Sequence, residues 1–420
     1  MPGTMTEFYI AILIVSLVLL LLAAASGLVN DRLWLSEPML CVAIGIAVGP
    51  LGFGWLAGPL RQSHIEPTMI EAARLALSIA VVGAALRLPT GYVRRAWREL
   101  AVILGAGMLM TWLLGAALAM LILGWAALPA LLLAATLAPT DPVLAASIVT
   151  GRFADDVIPD RLRNTISAEA GANDGLALPF VLIPAALLVH RGAVHAAWTM
   201  WWQTFLWEVG VALLIGTATG YLSGHLLRWA SRLREAETTS LVTIALSLAF
   251  ATMAACRLLE TDGILACFVA GVWLNESLIG SAEERHDRFH QAISRFFELP
   301  FFVFFGVMLP WSQWREIVPL ALPFAFALLF IRRPLAWWLL WRWLPSLRST
   351  REHLFVGWFG PIGIAAVFYA MQWGQKLQIP LLWPVVSLVA ALSLLLHGIT
   401  ATPLSRVLVG RDGRAAKSSA

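Results

Sequence analysis

Two short stretches hold residues whose types and spacing could do chemistry. The first is LAPTDPVLAAS, residues 137–147, where Asp141 stands between Pro139 and Pro142 inside an apolar run. The second is NTISAEAGANDGLALPFVL, residues 164–182, with Glu169, Asn173 and Asp174. An ionisable side chain in a membrane span costs about 2.5–3.5 kcal/mol on insertion scales and marks a functional site by default. Proline adds a second cost, because it donates no backbone hydrogen bond and clashes with the preceding turn. Pro139 and Pro142 therefore predict an unwound segment at Thr140-Asp141. At membrane depth such backbone is tolerated only where it is buried in protein or lines a cavity. Its free carbonyl oxygens suit a cation, and Asp141 supplies the countercharge. A plain proline kink would need no acid between the prolines.

The two stretches meet in depth. Asp141 lies 11 residues before Arg152, and Asp174 lies 11 residues after Arg163. At 1.5 Å per helical residue both sit roughly 16 Å from the basic flanks. That is about half of a hydrocarbon core ~30 Å thick. Asp174 shares a helix face with Ala170, and Glu169 shares one with Asn173. Asp174 can thus face the Asp141 site while Glu169 points elsewhere. A buried Glu169 needs a partner or a proton. Arg332 and Arg333, in FIRRPLAWW, are the available cations, and the reading is a structural ion pair.

The elements that must position these groups are membrane helices. The chain has 420 residues, 60% hydrophobic and 13% charged, against about 25% charged in soluble domains. Thirteen apolar spans are expected at 7–28, 36–56, 69–86, 99–124, 127–150, 164–189, 203–227, 239–256, 262–279, 296–313, 316–341, 353–373 and 380–405. The fold class is an all-α polytopic membrane protein. The first residues, MPGTMTEFYI, lack the basic n-region of a cleaved signal peptide. With the N-terminus outside, 21 Lys and Arg residues fall in cytoplasmic loops and tail and 5 in outer loops. The positive-inside rule then puts the N-terminus outside and the C-terminus in the cytoplasm. The net charge of +4 reflects topology and does not point to nucleic acid. One transmembrane domain, 1–405, precedes a short cytoplasmic tail, 406–420. Cys41, Cys256 and Cys267 lie in apolar runs and read as core packing.

Span 12 contains a second weak helix, GWFGPIGIAAVFYA, residues 357–370. Spans 5 and 12 occupy matching places if spans 1–6 and 8–13 form inverted repeats. Paired interrupted spans in two halves point to a transporter binding site, although glycine also serves ordinary helix packing.

Thr140-Asp141-Pro142 in one span, followed by Glu169…Asn173-Asp174 in the next, resembles the sodium/proton exchanger branch of the monovalent cation:proton antiporters, the NhaP-like proteins. The resemblance covers almost the whole chain. PMLCVAIGIAVGPLGFG, FFELPFFVFFGVMLPW, RRPL and GWFGPIG look like family segments too. It implies an inverted-repeat antiporter fold with a dimerisation domain, a mobile core domain and crossed, discontinuous helices, here spans 5 and 12. It also implies a homodimer. Asp174 would alternately bind a proton and the cation, Na⁺ or K⁺, with Asp141 beside it. Thr140, Asp141 and Asn173 would shape the site, and Glu169 would pair with the span 11 arginine matched by Arg333. Two positions depart from the pattern. Ala170 stands where many relatives have a hydroxyl residue, which leaves Ser167, one turn earlier, as the candidate additional ligand. Ile362 stands where many have an arginine.

The function expected is electroneutral 1:1 exchange of Na⁺ (or Li⁺ or K⁺) for H⁺ by alternating access. It would serve pH homeostasis in a bacterial inner membrane and need no cofactor. Proton and cation would compete for one carboxylate, and Asn173 adds no second titrating charge. A cation-coupled organic-solute carrier on a similar fold is the alternative, and it would need a larger cavity with aromatic or hydrogen-bonding groups. An intramembrane enzyme would need a nucleophile–base pair or metal ligands at depth. The sequence holds no phosphate loop, HExxH or CxxC.

Overall fold

In a computed structural model, residues 2–28, 36–56, 65–190, 193–232, 240–261, 263–277 and 296–409 are described. These residues are helical with intervening turns, and no strand occurs among them. The helices are α1 (Pro2–Leu28), α2 (Glu37–Val48) and α3 (Ile65–Leu86), then α4 (Trp97–Leu123). The broken α5 follows as α5a (Ala127–Thr136) and α5b (Pro142–Val149). Next come α6 (Asp160–Val189), α7 (Val194–Arg232), α8 (Ser240–Leu258) and α9 (Ile264–Ser277), α10 (Phe296–Val307) and α11 (Trp311–Leu339). The broken α12 is α12a (Thr350–Trp358) and α12b (Ile364–Lys376), and α13 is Leu382–Leu408. Short helical turns at Tyr92–Arg95 and Arg152–Val157 complete the set.

Each expected apolar segment contains helix in its described part, with breaks inside the fifth and the twelfth and differences at the ends. The helix in the second segment stops at Val48, because Gly49, Pro50, Gly52 and Gly54 follow and the chain turns. α10 stops at Val307 before Pro310, and α11 begins at Trp311 rather than 316. α3, α4, α6, α7, α11 and α13 are each long and apolar enough to cross a membrane unaided. The tail from 410 and the loop holding Arg285, Arg288 and Arg295 lie outside the described residues.

The helix that carries Asp174 is central. α6 packs on α3, α7 and α9 and on α5a and α5b. α7 packs along α9, and α9 along α3. α11 and α12b both lie on α13. The main apolar core holds Phe324, Phe368 and Tyr369 among its largest fully buried side chains, and a second cluster around α5b, α12a and the start of α6 holds Phe355 and Phe359. α7 shows the opposite character: Trp198, Trp202, Trp207 and Leu214 are exposed along it, as suits a surface facing lipid or another apolar partner. The three cysteines are buried, and none is joined in a disulfide.

Candidate functional site

The two breaks are the first requirement of the site. α5 is unwound between Thr136 and Pro142, and α12 between Trp358 and Ile364. Pro142 opens α5b at its first position, where a missing N–H costs nothing. Residues 359–363 read FGPIG, whose proline and glycines cannot sustain a helix. The breaks touch each other: the Asp141 amide donates to the Pro361 carbonyl at 2.8 Å.

Asp141 holds the crossing together. Its Oδ1 accepts from the amides of Val143 (2.7 Å) and Leu144 (3.1 Å), capping α5b. Its Oδ2 accepts from the amide of Ile364 at 2.6 Å, the first residue of α12b. One buried carboxylate therefore faces the positive ends of two half-helices, the favoured place for an anion. A Cβ on Gly363 would overlap this carboxylate, so only glycine permits the approach.

The opposite ends of the half-helices are served by cations. α11 widens into a π turn at Leu328–Arg332, immediately before Arg333. Arg332 Nη1 donates to the Leu137 carbonyl at 2.6 Å, at the C-terminal end of α5a. Arg333 donates through Nε and Nη2 to the Val356 carbonyl in the last turn of α12a, at 3.3 and 3.2 Å. It also makes a two-bond ion pair with Glu169 of α6, at 2.5 and 2.7 Å, and its guanidinium lies 4.9 Å over Trp337. The sequence left Arg332 and Arg333 open as partners of Glu169; the resemblance pointed to Arg333, and the ion pair is there.

Asn173 sets the level of α6 against the first break. Its Oδ1 accepts from the Thr140 amide (3.1 Å) and its Nδ2 donates to the Thr140 hydroxyl (2.8 Å). The depths estimated from residue counts thus coincide in space. Next to it, Asp174 is fully buried, and neither of its carboxylate oxygens has a hydrogen-bond partner. Asp141 is near enough for the two charges to act on each other. Ser167 is buried on the same helix, but seven residues of rise separate it from Asp174 by roughly 10 Å, and no contact joins the two.

The breaks were read as freeing carbonyls for an ion. The carbonyls of Leu137, Val356, Trp358 and Pro361 have donors on their oxygens, and the Asp141 carboxylate is held by three amides. The carboxylate oxygens of Asp174 have no hydrogen-bond partner. A cavity of about 10 Å³, room for about one water, lies on the Glu169 and Asn173 face of α6, lined by Thr111, Glu169, Asn173 and Arg333 among others; Asp174 does not line it. No cluster of three or more metal-ligating His, Cys, Asp or Glu occurs among the described residues.

Sequence reasoning passed over two groups here. Tyr369, fully buried in α12b, donates its hydroxyl to the backbone carbonyl of Asp174 at 2.8 Å. His397, buried in α13, donates to the Trp358 carbonyl at 2.9 Å. The available signals were Pro179, five residues after Asp174, which weakens α6 there, and the i,i+4 spacing of Ser393 and His397.

The chain matches the family described as "Sodium/hydrogen exchanger, transmembrane" over residues 15–407. Among curated proteins it is 29% identical to the Na(+)/H(+) antiporter of Saccharomyces cerevisiae, an alignment covering 82% of this chain and 35% of the yeast protein. It is 28% identical to the K(+)/H(+) antiporter NhaP2 of a Shewanella species, covering 92% of this chain and 66% of that one. The chain therefore spans about a third of the first relative and just under two thirds of the second. Its fold is similar to that of the sodium proton antiporter MjNhaP1 from Methanocaldococcus jannaschii at pH 8. That match has a TM-score of 0.70 at 18% identity, covering 96% of this chain and 100% of that one.

Proposed function

The chain belongs to the sodium/hydrogen exchanger family, and on that premise we propose that it exchanges a monovalent cation for H⁺ at Asp174. The observation that carries the proposal is a fully buried carboxylate with both oxygens unpartnered, one residue from Asn173, which binds the first break at Thr140. A buried carboxylate left so must be neutralised. A proton or a cation can do this, but not both at once, so coupling needs no further device.

Thr140, Asn173 and Asp141 shape the site. The Thr140 hydroxyl accepts from Asn173 and retains its own proton and a lone pair to present to an ion or its water. Asp141 anchors both half-helices and adds negative potential. Glu169 and Arg333 tie α6 to α11 and α12a as a structural ion pair. Asn173 cannot ionise, which supports 1:1 electroneutral exchange. Na⁺ is favoured, with Li⁺ or K⁺ as alternatives; relatives of both Na⁺ and K⁺ description match the chain. An organic-solute carrier is the less favoured reading, since the relatives that match the chain are described as cation/proton antiporters. Alternating access would move the body around α5, α6 and α12 against α3, α7 and α9. The charge distribution supports an outside N-terminus and a cytoplasmic C-terminus. A bacterial inner membrane, a homodimer and thirteen crossings in two inverted repeats complete the reading.

The test is cation-driven proton movement in everted vesicles. Asp174→Asn should abolish it for Na⁺, Li⁺ and K⁺ alike, because an amide neither takes up nor releases a proton in the working pH range and carries no charge to bind the cation. Undiminished exchange in that variant would sink the assignment. A membrane potential developed during exchange in proteoliposomes would exclude the 1:1 ratio.

A further inference from the structure

The break in α12 contains no ionisable residue, yet it is held at both ends by one stripe of α13. Ser393, His397 and Thr400 share a face at i, i+4 and i+7. The Ile362 amide donates to the Ser393 hydroxyl at 2.8 Å. His397 Nε2 donates to the Trp358 carbonyl at 2.9 Å. Trp358 Nε1 donates to the Thr400 hydroxyl at 2.9 Å. The Trp358 indole stacks on the imidazole, with ring centroids 4.9 Å apart and planes 24° apart. Ser393 and His397 are both buried.

The hydrogen bonds form a directed chain. His397 Nδ1 lies 3.1 Å from the Ser393 hydroxyl and 2.8 Å from the Ser393 carbonyl. Nε2–H serves the Trp358 carbonyl, and Nδ1 rests against both oxygens of Ser393, whose hydroxyl accepts from Ile362, so one ring joins the two ends of the break. The far side of the same loop grips Asp141: Pro361 accepts from its amide and Ile364 donates to its carboxylate. The loop between Trp358 and Ile364 is therefore clamped between α13 and Asp141.

We propose that Ser393 and His397 are positioning residues for the ion site. They fix the α12 break so that Pro361 and Ile364 hold Asp141 in register with Asn173 and Asp174. They touch no ion, and they act through geometry rather than by carrying a transported proton. The proposal rests on the exchange reading for its transport consequence, but the loop geometry can be read without transport.

The experiment uses the full chain, purified and reconstituted. His397→Leu removes both ring hydrogen bonds, and it should raise the apparent KM for the cation about tenfold, with maximal turnover falling less. Amide hydrogen exchange across 359–364 should quicken in the same variant. His397→Gln, which keeps a donor at the Nε2 position, should restore KM to within about threefold of the parent, with an unshifted pH profile. Ser393→Ala should quicken exchange at Ile362 and raise KM, and it serves as the test if His397→Leu fails to fold. A folded His397→Leu protein with unchanged KM overturns the proposal. So does a Gln variant as impaired as the Leu variant, which would assign the role to ring protonation. If the parent itself moves no cation, the exchange reading falls, and the amide exchange still decides the positioning: unchanged rates at 359–364 in both variants reject it.

Discussion

The two breaks have the same geometry and opposite chemistry. Each interrupts a helix for about five residues, and each leaves a set of orphaned amides and carbonyls. The break in α5 brings its own charge, Asp141, whose carboxylate serves α5b and also α12b. The break in α12 brings only space. Its two glycines admit the Asp141 carboxylate at Gly363 and the Arg333 side chain at Gly360. The side chains that satisfy it all come from elsewhere: Asp141 from α5, Arg333 from α11, and Ser393 and His397 from α13. One break is a donor of charge and the other a receiver of contacts. Removing a side chain should therefore do most harm in the first, while the second should fail through its neighbours.

The largest effect expected from breaking this asymmetry is at Asp141. Asp141→Ala leaves three buried amides without acceptors, each at about 1–3 kcal/mol, and removes the anion from two helix ends. The expected loss of stability is on the order of 5 kcal/mol, with exchange reduced by roughly a hundredfold or more. Asp141→Asn keeps one acceptor oxygen but turns a donor toward the other half-helix, and it should fall between. Thermal unfolding in detergent together with vesicle transport measures both. An Ala variant as stable as the parent would show that the carboxylate does not cap the crossing.

Arg333 comes next, since it serves the receiving break from outside. Arg333→Met strips Glu169 of its partner and the Val356 carbonyl of its donors. Leaving one member of a buried pair alone costs about 3–5 kcal/mol. Adding Glu169→Gln should recover a large part of this, because the uncompensated charge is gone. A double variant no more stable than Arg333→Met would mean that the pair is not the source of the loss. The same cycle separates the two adjacent arginines. Arg332→Met leaves Glu169 paired and exposes only the Leu137 end of α5a, so Glu169→Gln should not rescue it.

This contrast also marks what could be read from sequence. The break in α5 was legible because its cause is local: two prolines and an acid within four residues. The matching depth of Asp174 was legible because helical rise is constant. The pairing of Glu169 was legible as a need, since a buried carboxylate demands a partner. The double cap by Asp141 was not, because Ile364 is 223 residues away and only tertiary crossing joins them. Half of it lay within reach, for an Asp before an N-terminal proline is an N-cap pattern. His397 and Tyr369 were hidden for the same reason. Their hydrogen bonds end on carbonyls, and a backbone partner leaves no mark of residue type in the sequence.

The smallest effect should come at the far end of the receiving helix, where α12a begins. Glu352 is buried in the first turn of α12a and binds Arg161, in the first turn of α6, by two hydrogen bonds, one of them 2.7 Å. It also accepts from the Arg348 amide at 2.6 Å. Burial alone would push its carboxyl up, but the hydrogen bonds from Arg161 and the Arg348 amide outweigh this and hold it below its usual range. A carboxyl whose folded pKa is depressed contributes stability that is complete above the unfolded value, about 4.3. That stability is lost as the pH falls through the folded value. Glu352→Gln should therefore cost roughly 1–3 kcal/mol at neutral pH and show a shallower loss of stability on acidification than the parent. The cation KM should not move, because the pair lies at the end of α6 opposite to nothing in the site, some 13 residues of helix before Asp174. If KM rose with the stability loss, the first turn of α12a would be coupled to the crossing. The line between the two breaks would then have to be redrawn to include the whole helix.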